Sequence, residues 1–358
     1  MLRAMWSQQQ GAQRPAPGHA ALLGTPLEGG TGLVRCDLCE HRCVLRPGQR
    51  GTCGVRLNHA GALRTMAYGH AAVVRVEAIE KKPLFHFHPG SRTLSLATAG
   101  CNLRCAHCQN WELSQAPVLQ PHAALPGEPL LPADAVERAV AAGCTSVCFS
   151  FTEPTIFAEY VVDVARAARA RGLHAVLVTN GYLTPEALAL LGPWIDAANV
   201  DLKGLRDDVL RREVGGGHAP SLRAVAALRA RGVWVEVTTV VVPGTNDGAD
   251  ELAEMGRRLA AIDRDVPWHV ARFHPDWLMR DRPPTPLPTL RAGVAAGRAA
   301  GLRHVYVGNV WGDRDESTWC AGCGGLLLGR RGYAVERAGL ARGGACRACG
   351  TVLAGSGL

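Results

Sequence analysis

Lysine is almost absent from this chain of 358 residues: among 39 basic side chains only Lys81, Lys82 and Lys203 are lysine, and the rest are arginine. A chain so committed to arginine that keeps lysine at three places hints at sites wanting a compact ammonium rather than a planar fork. No dense Lys/Arg run interleaved with aromatics occurs. The net charge of +8 therefore reads as a solvated, arginine-rich surface, and nucleic acid is not an expected partner. A run of eighteen apolar residues is also missing, which excludes a membrane-spanning helix and a membrane partner. The first thirty residues lack the continuous apolar core of a signal peptide, so the expected compartment is cytoplasmic.

Cysteine, by contrast, is plentiful, with thirteen residues. In a reducing compartment clustered thiols are more often metal ligands than disulfides. They form three groups: Cys36, Cys39, Cys43 and Cys53; Cys101, Cys105 and Cys108; and Cys320, Cys323, Cys346 and Cys349. Cys144 and Cys148 stand apart in a strand region and read as small buried hydrophobes. Residues 1–32, rich in Gln, Gly and Pro, read as a disordered extension. Residues 33–90 follow as a Cys-rich segment, 91–315 as the main body and 316–358 as a small C-terminal module.

The body alternates β-branched runs with Ala/Leu/Arg-rich runs, the pattern of an α/β protein. Strands are predicted at TLSLAT (93–98), SVCFSF (146–151), HAVLVT (174–179), AANVDL (197–202), VWVEVTTVV (233–241), WHVARF (268–273) and RHVYVG (303–308). Helical runs such as 134–143 and 156–172 separate most of them. Six or seven such units make a parallel sheet but not a closed eightfold barrel, so an open, partial barrel is expected. The polar motifs CNLRCAHC, TEPT, NGY, DLKG and HPD sit at or just after strand ends. In parallel α/β folds the site lies at those carboxyl ends, so the five should converge.

A closed structural zinc normally takes four ligands, whereas CNLRCAHC supplies three cysteines. An iron–sulfur cubane on Cys101, Cys105 and Cys108 would keep one iron open to an external molecule, with Trp111 and Leu113 placed to shield it from water.

This C-x3-C-x2-C motif after a first barrel strand resembles the radical S-adenosylmethionine (SAM) superfamily. CDLCEHRC, GTCGVR, IEKKPLFHFHPGS, CQNWELSQ, FTEPTIF, TNGY, NVDLKG, VVVPGTND, RFHPD and DRPPTP together resemble the radical enzyme of the AmmeMemoRadiSam system, which is related to glycyl-radical-enzyme activating enzymes. The resemblance implies a partial (β/α)6-type TIM barrel. It also implies a [4Fe-4S] cluster that cleaves SAM to a 5′-deoxyadenosyl radical, and hydrogen abstraction from a small-molecule or protein substrate. A reductant such as flavodoxin or ferredoxin is implied with it. Residue by residue, Glu153 in FTEPT matches the acceptor for the methionine ammonium. His107 holds the usually aromatic slot against the adenine. Asn180, Asp201, Lys203 and His274 match polar positions around the cofactor. Two positions depart from the activating enzymes: Val178 stands where an acidic residue often precedes T-N-G, and Thr238 where a basic one precedes V-V-V-P-G.

Cys320-x2-Cys323 and Cys346-x2-Cys349, each beside glycine, read as a zinc ribbon serving structure or partner docking. Cys36, Cys39, Cys43 and Cys53, with His41 as a spare ligand, suit either zinc or a second iron–sulfur cluster. Lys81 and Lys82 read either as anchors for a substrate carboxylate or phosphate near the barrel mouth, or as part of a surface turn fixed by Pro83 and Pro89. Gly215–Gly217 read as a flexible loop. Two alternatives accompany the radical enzyme with an unspecified substrate. One is an activase installing a glycyl radical on a partner protein, the other a zinc-ribbon nucleic-acid binder without catalysis.

Overall fold

The computed structural model describes residues 18–29 and 32–358. At its centre is an eight-stranded sheet in sequential order: β1 (Val73–Ala78), β2 (Arg92–Ala97), β3 (Ser146–Phe149), β4 (His174–Thr179), β5 (Ala197–Asp201), β6 (Trp234–Val241), β7 (Trp268–Arg272) and β8 (Val305–Gly308). β1 pairs antiparallel with β2, and every later pair is parallel. β1 and β8 do not pair with each other, so the sheet is a partial TIM barrel. The seven parallel strands coincide with the seven predicted ones. β1 was hidden in the segment before residue 90 because VVRVEA carries Arg75 and Glu77 among its apolar residues.

Helices α1 (Pro132–Ala141), α2 (Ala158–Ala170), α3 (Pro185–Leu191), α4 (Ala219–Ala230), α5 (Ala249–Ile262) and α6 (Leu287–Ala299) follow the strands. α3 begins where Thr184 Oγ1 accepts the Ala187 N–H at 3.1 Å and Pro185 takes the first turn. α2 buries Val161, Val164, Ala165 and Ala168, a helical spacing that faces the sheet. α6 can lie close to β7 because a Cβ on Gly297 would stand 2.8 Å from the Trp268 ring.

The sheet has two cores. Its outer face packs on the helices, whereas its inner face, with Cys148, Val176, Ala197 and Trp234, covers Ile79, Leu84 and Phe87. Residues 79–90 thus line the inside of the sheet, held by Glu236 on β6. Its carboxylate accepts from the Phe85 and His86 backbones (2.9 and 2.7 Å), Trp234 Nε1 (3.0 Å) and His269 Nε2 (2.7 Å). Asn199 Nδ2 donates to Pro83 O at 2.8 Å. Lys82 is therefore not in a surface turn. It is 4% exposed, bonds Ser150 Oγ at 3.1 Å and Glu77, and lies over the Phe151 ring. Lys81 stays half-exposed on Glu77.

The C-terminal module is a three-stranded antiparallel sheet of Thr318–Trp319, Leu326–Arg331 and Ala334–Arg337. Arg330 ties it to the inner segment, donating to Phe85 O at 2.6 Å and Thr318 Oγ1 at 2.7 Å. The N-terminal cysteines sit on a small antiparallel sheet of Gly24–Pro26, Val34–Cys36 and Val44–Leu45. Residues 18–29, expected to be disordered on composition, instead form edge strands His19–Ala20 and Gly24–Pro26, because their backbones pair with Arg64–Thr65 and residues 34–36. The expectation for residues 1–17 and 30–31 lies outside the described residues. Among the described residues no helix is long and apolar enough to cross a membrane.

Candidate active site

The three-cysteine loop leaves β2 through Gly100, whose φ of +105° and close neighbours bar a side chain: a Cβ there would meet Cys53 O at 2.8 Å and Ile156 Cδ1 at 3.0 Å. The loop is strapped from below, Arg104 N donating to Val214 O (2.8 Å) and Ala106 N to Glu213 O (2.7 Å). The glycines that follow are not a free loop: a Cβ on Gly216 would stand 2.8 Å from Leu103 Cδ2. Leu103 N donates to Cys101 Sγ at 3.4 Å, and Cys108 Sγ contacts Ser114 Oγ at 3.4 Å. Trp111 and Leu113 are half-buried, and Trp111 stacks on Trp277 with centroids 6.0 Å apart.

Beside the loop, Glu153 is 2% exposed and takes four donors. Oε1 accepts from Thr155 N (3.0 Å), Thr155 Oγ1 (2.6 Å) and Thr179 Oγ1 (2.7 Å), and Oε2 from Asn180 N (2.8 Å). Oε2 keeps a free lone pair. Burial pushes the Glu153 carboxyl above its usual value against these donors, which favour the anion. Asn180 joins the two motifs, its Nδ2 donating to Asn102 Oδ1 (2.7 Å) and lying 3.9 Å from Cys101 Sγ. On the other flank Lys203 Nζ meets Asp201 Oδ2 at 3.0 Å. Burial disfavours the Lys203 ammonium, but Asp201 and the Cys105 sulfur outweigh it and hold its pKa above the ordinary lysine value.

His107 is pushed down to about 3 by burial and by the nearby Lys203 and Arg282 charges, so its ring is neutral. Its Nδ1 is buried without a partner, and the ring meets Phe273 edge-on at 6.4 Å. His274, next to that phenylalanine in the chain, is exposed. Burial raises the Cys101 thiol well above its usual value and that of Cys105 to about 11. Only a bound metal charge makes such sites comfortable as thiolates. Asn102, Thr155, Thr179 and Ser114, which brace the site, were not singled out from sequence. The signal for Asn102 was a lone amide inside the cysteine motif.

The Radical SAM superfamily matches residues 95–256. The uncharacterized protein MJ0808 of Methanocaldococcus jannaschii is 39% identical over 298 residues, 83% of this chain and 87% of that protein. The chain belongs to the radical SAM superfamily. The pyruvate formate-lyase 1-activating enzyme of Escherichia coli is 27% identical over 202 residues, covering 52% of this chain and 77% of that one. The SAM-bound structure of Streptococcus suis SuiB aligns with a TM-score of 0.46 at 15% identity, over 64% of this chain and 52% of that chain. Membership of the superfamily carries radical SAM chemistry, the binding and cleavage of SAM at an iron–sulfur cluster, as the activity of this enzyme. The non-catalytic nucleic-acid alternative is set aside.

Proposed function

We propose that Cys101, Cys105 and Cys108 hold a [4Fe-4S] cluster open at one iron, and that the enzyme removes hydrogen from a substrate inside the barrel mouth. When bound, cluster and SAM supply the electron and the 5′-deoxyadenosyl radical. The chain's own residues place and shield them. The free lone pair of Glu153 Oε2 suits the methionine ammonium. Neutral His107 offers its unpaired Nδ1 and ring to the adenine, while Asn180, Asp201 and Lys203 flank the loop and His274 stands at the rim. Lys82, held by Glu77, Ser150 and the Phe151 ring just past β3, would anchor an anionic substrate group only by giving up its pairing with Glu77.

The observation that carries this reading is a loop of three half-buried thiols without a fourth in the loop, beside the Glu153–Asn180 network at the strand ends. Its test is anaerobic reconstitution with dithionite and SAM. Cleavage to 5′-deoxyadenosine that vanishes in Cys101→Ala supports it, and an equal yield from that variant sinks it. A flavodoxin or ferredoxin is the reductant of this reading, and a single zinc holds the C-terminal four cysteines.

The likeness to a pyruvate formate-lyase activating enzyme favours a second reading, installation of a glycyl radical on a partner protein. An electron-spin doublet on a candidate partner's glycine, dependent on this enzyme and SAM, decides for it. Hydrogen abstraction from a small molecule without such a partner decides against it.

A further inference from the structure

The described residues contain three cysteine groups with two different spacings. Four thiolates around one zinc, each about 2.3 Å from the ion, sit about 3.8 Å apart by tetrahedral geometry. The C-terminal four match: Cys320 and Cys349 sulfurs are 3.5 Å apart, Cys323 and Cys346 sulfurs 3.7 Å, and all four fall within 4.8 Å of one another. Among the described residues no other three ligand atoms of His, Cys, Asp or Glu draw together so closely. The Cys101, Cys105 and Cys108 sulfurs do not all fall within 4.8 Å of one another, and thiolates on a multi-iron cubane must lie further apart than those on one ion. Nor do any three sulfurs of the N-terminal four come within that distance of one another.

They are nonetheless one group. Every pair among Cys36, Cys39, Cys43 and Cys53 is close enough for the charges to interact. Nearby backbone at Leu38, His41, Val55 and Arg56 favours the thiolate forms of Cys36, Cys39 and Cys53 against their burial. The Arg56 guanidinium, 1% exposed and doubly hydrogen-bonded to Glu159, also acts on Cys36 and Cys53 and favours their thiolate forms against burial, which pushes both thiols up. Cys36 and Cys53 are buried at 6% and 7% exposure, and Cys39 and Cys43 are half-buried.

The group also abuts the three-cysteine loop. Two residues after Cys39, His41 Nε2 meets Asn102 O at 2.7 Å, and Asn102 is bonded to Cys101 in the chain. Cys53 O is the nearest of the atoms that keep Gly100 free of a side chain. One hydrogen bond therefore links the two sets of thiols through the backbone.

We propose that Cys36, Cys39, Cys43 and Cys53 hold a second, closed iron–sulfur cluster that relays single electrons to the three-cysteine loop by way of His41 and Asn102. The relay takes one electron from a flavodoxin- or ferredoxin-class donor and passes one on, and no bond is made or broken in it. Four protein thiolates saturate the irons, so this cluster does not bind SAM. The relay rests on the reductive reading above, whereas the identity of the metal does not.

The test begins with the triple variant Cys101→Ala/Cys105→Ala/Cys108→Ala, which leaves the N-terminal group intact. After anaerobic reconstitution it should keep about four irons and four sulfides per chain, against about eight of each in the wild type. Its reduced electron-spin signal should be unmoved by SAM, while part of the wild-type signal shifts. No iron in the triple variant, with two zincs per chain, overturns the proposal in favour of zinc. No metal at all there beyond the ribbon zinc overturns it equally. His41→Leu should keep both clusters by iron count yet slow 5′-deoxyadenosine formation at least fivefold with a protein donor, and an unchanged rate refutes the relay. A wild type that makes no 5′-deoxyadenosine while the triple variant keeps its iron would fail the radical reading and leave the second cluster standing.

Discussion

Replacing Glu153 by glutamine separates the two roles open to this carboxylate, bracing the loop and receiving an ammonium. Oε1 accepts three donors and Oε2 one, the Asn180 N–H at 2.8 Å. A glutamine best places its carbonyl oxygen in the Oε1 position, because the opposite orientation would orphan the Thr155 N–H and turn two hydroxyls away. Its NH2 then faces the Asn180 N–H, donor against donor, in a site 2% exposed. One unpaired buried donor costs about 1–3 kcal/mol of stability. Loss of a charge-assisted bond to the methionine ammonium costs a further ~1.5–3 kcal/mol in binding. At about 1.4 kcal/mol per decade, SAM should bind about ten- to a hundredfold more weakly. Thr155→Ala is the control: it removes a hydroxyl donor from Oε1 but leaves Oε2 untouched, so it should lose about 1 kcal/mol of stability with unchanged SAM affinity. Anaerobic calorimetric titration of SAM into reconstituted enzyme, paired with urea melts, reads both quantities. If Glu153→Gln is destabilised yet binds SAM within twofold of wild type, Glu153 only braces the loop.

Arg56 and Glu159 form a doubly hydrogen-bonded pair (2.8 and 2.7 Å) at 1% and 4% side-chain exposure, so Arg56→Met strands a buried carboxylate. The expected loss is about 3–5 kcal/mol in a urea melt. Cys323→Ser opens the C-terminal quartet, and with it the seat of Arg330 on Phe85. Loss of one zinc per chain and a lowered melting temperature should follow together. The inner network sets an acid limit: burial holds His86 down to about 3, and Glu236, despite its burial, is held at about 2 by His269 and by backbone donors. Unfolding lets His86 take a proton below its ordinary value near 6.5 and Glu236 below about 4.5, so the unfolded chain binds more protons and stability falls steadily as pH drops from about 6.5 towards 2. A urea midpoint that rises on acidification across that window would contradict this.

Legibility followed the range of the interactions. The seven parallel strands and the motifs after them were readable because burial on both faces leaves apolar runs, and the chemistry sits within a few residues of each run. The inner segment was not readable. IEKKPLFHFHPGS looks like a turn between two prolines, yet Glu236 binds its backbone across 150 positions and the C-terminal module closes on it through Arg330. The spacing of the thiols was invisible for the same reason, since C-x2-C is written alike for one ion and for a cluster. Similarly, residues 18–29 have a loop's composition but take their strands from partners 8 to 46 positions away.

The scarcity of lysine now has a partial physical cause. Lys82 is buried with its ammonium shared by Glu77, Ser150 and the Phe151 ring, and the Lys203 side chain is 17% exposed between Asp201 and the cluster loop. Both places take a point charge on a slender stem. A guanidinium there would bring a planar group with five donors into a space that offers Lys203 one carboxylate oxygen and two sulfurs. Lys203→Arg should therefore overpack the loop by about 1–3 kcal/mol and lower 5′-deoxyadenosine yield, although the charge is conserved. Lys81 is different: its side chain is 42% exposed and only tops the Glu77 carboxylate. Lys81→Arg should be silent in both measurements. Equal effects at positions 81 and 203 would mean that the three lysines are chance survivors, and that neither buried site selects for shape.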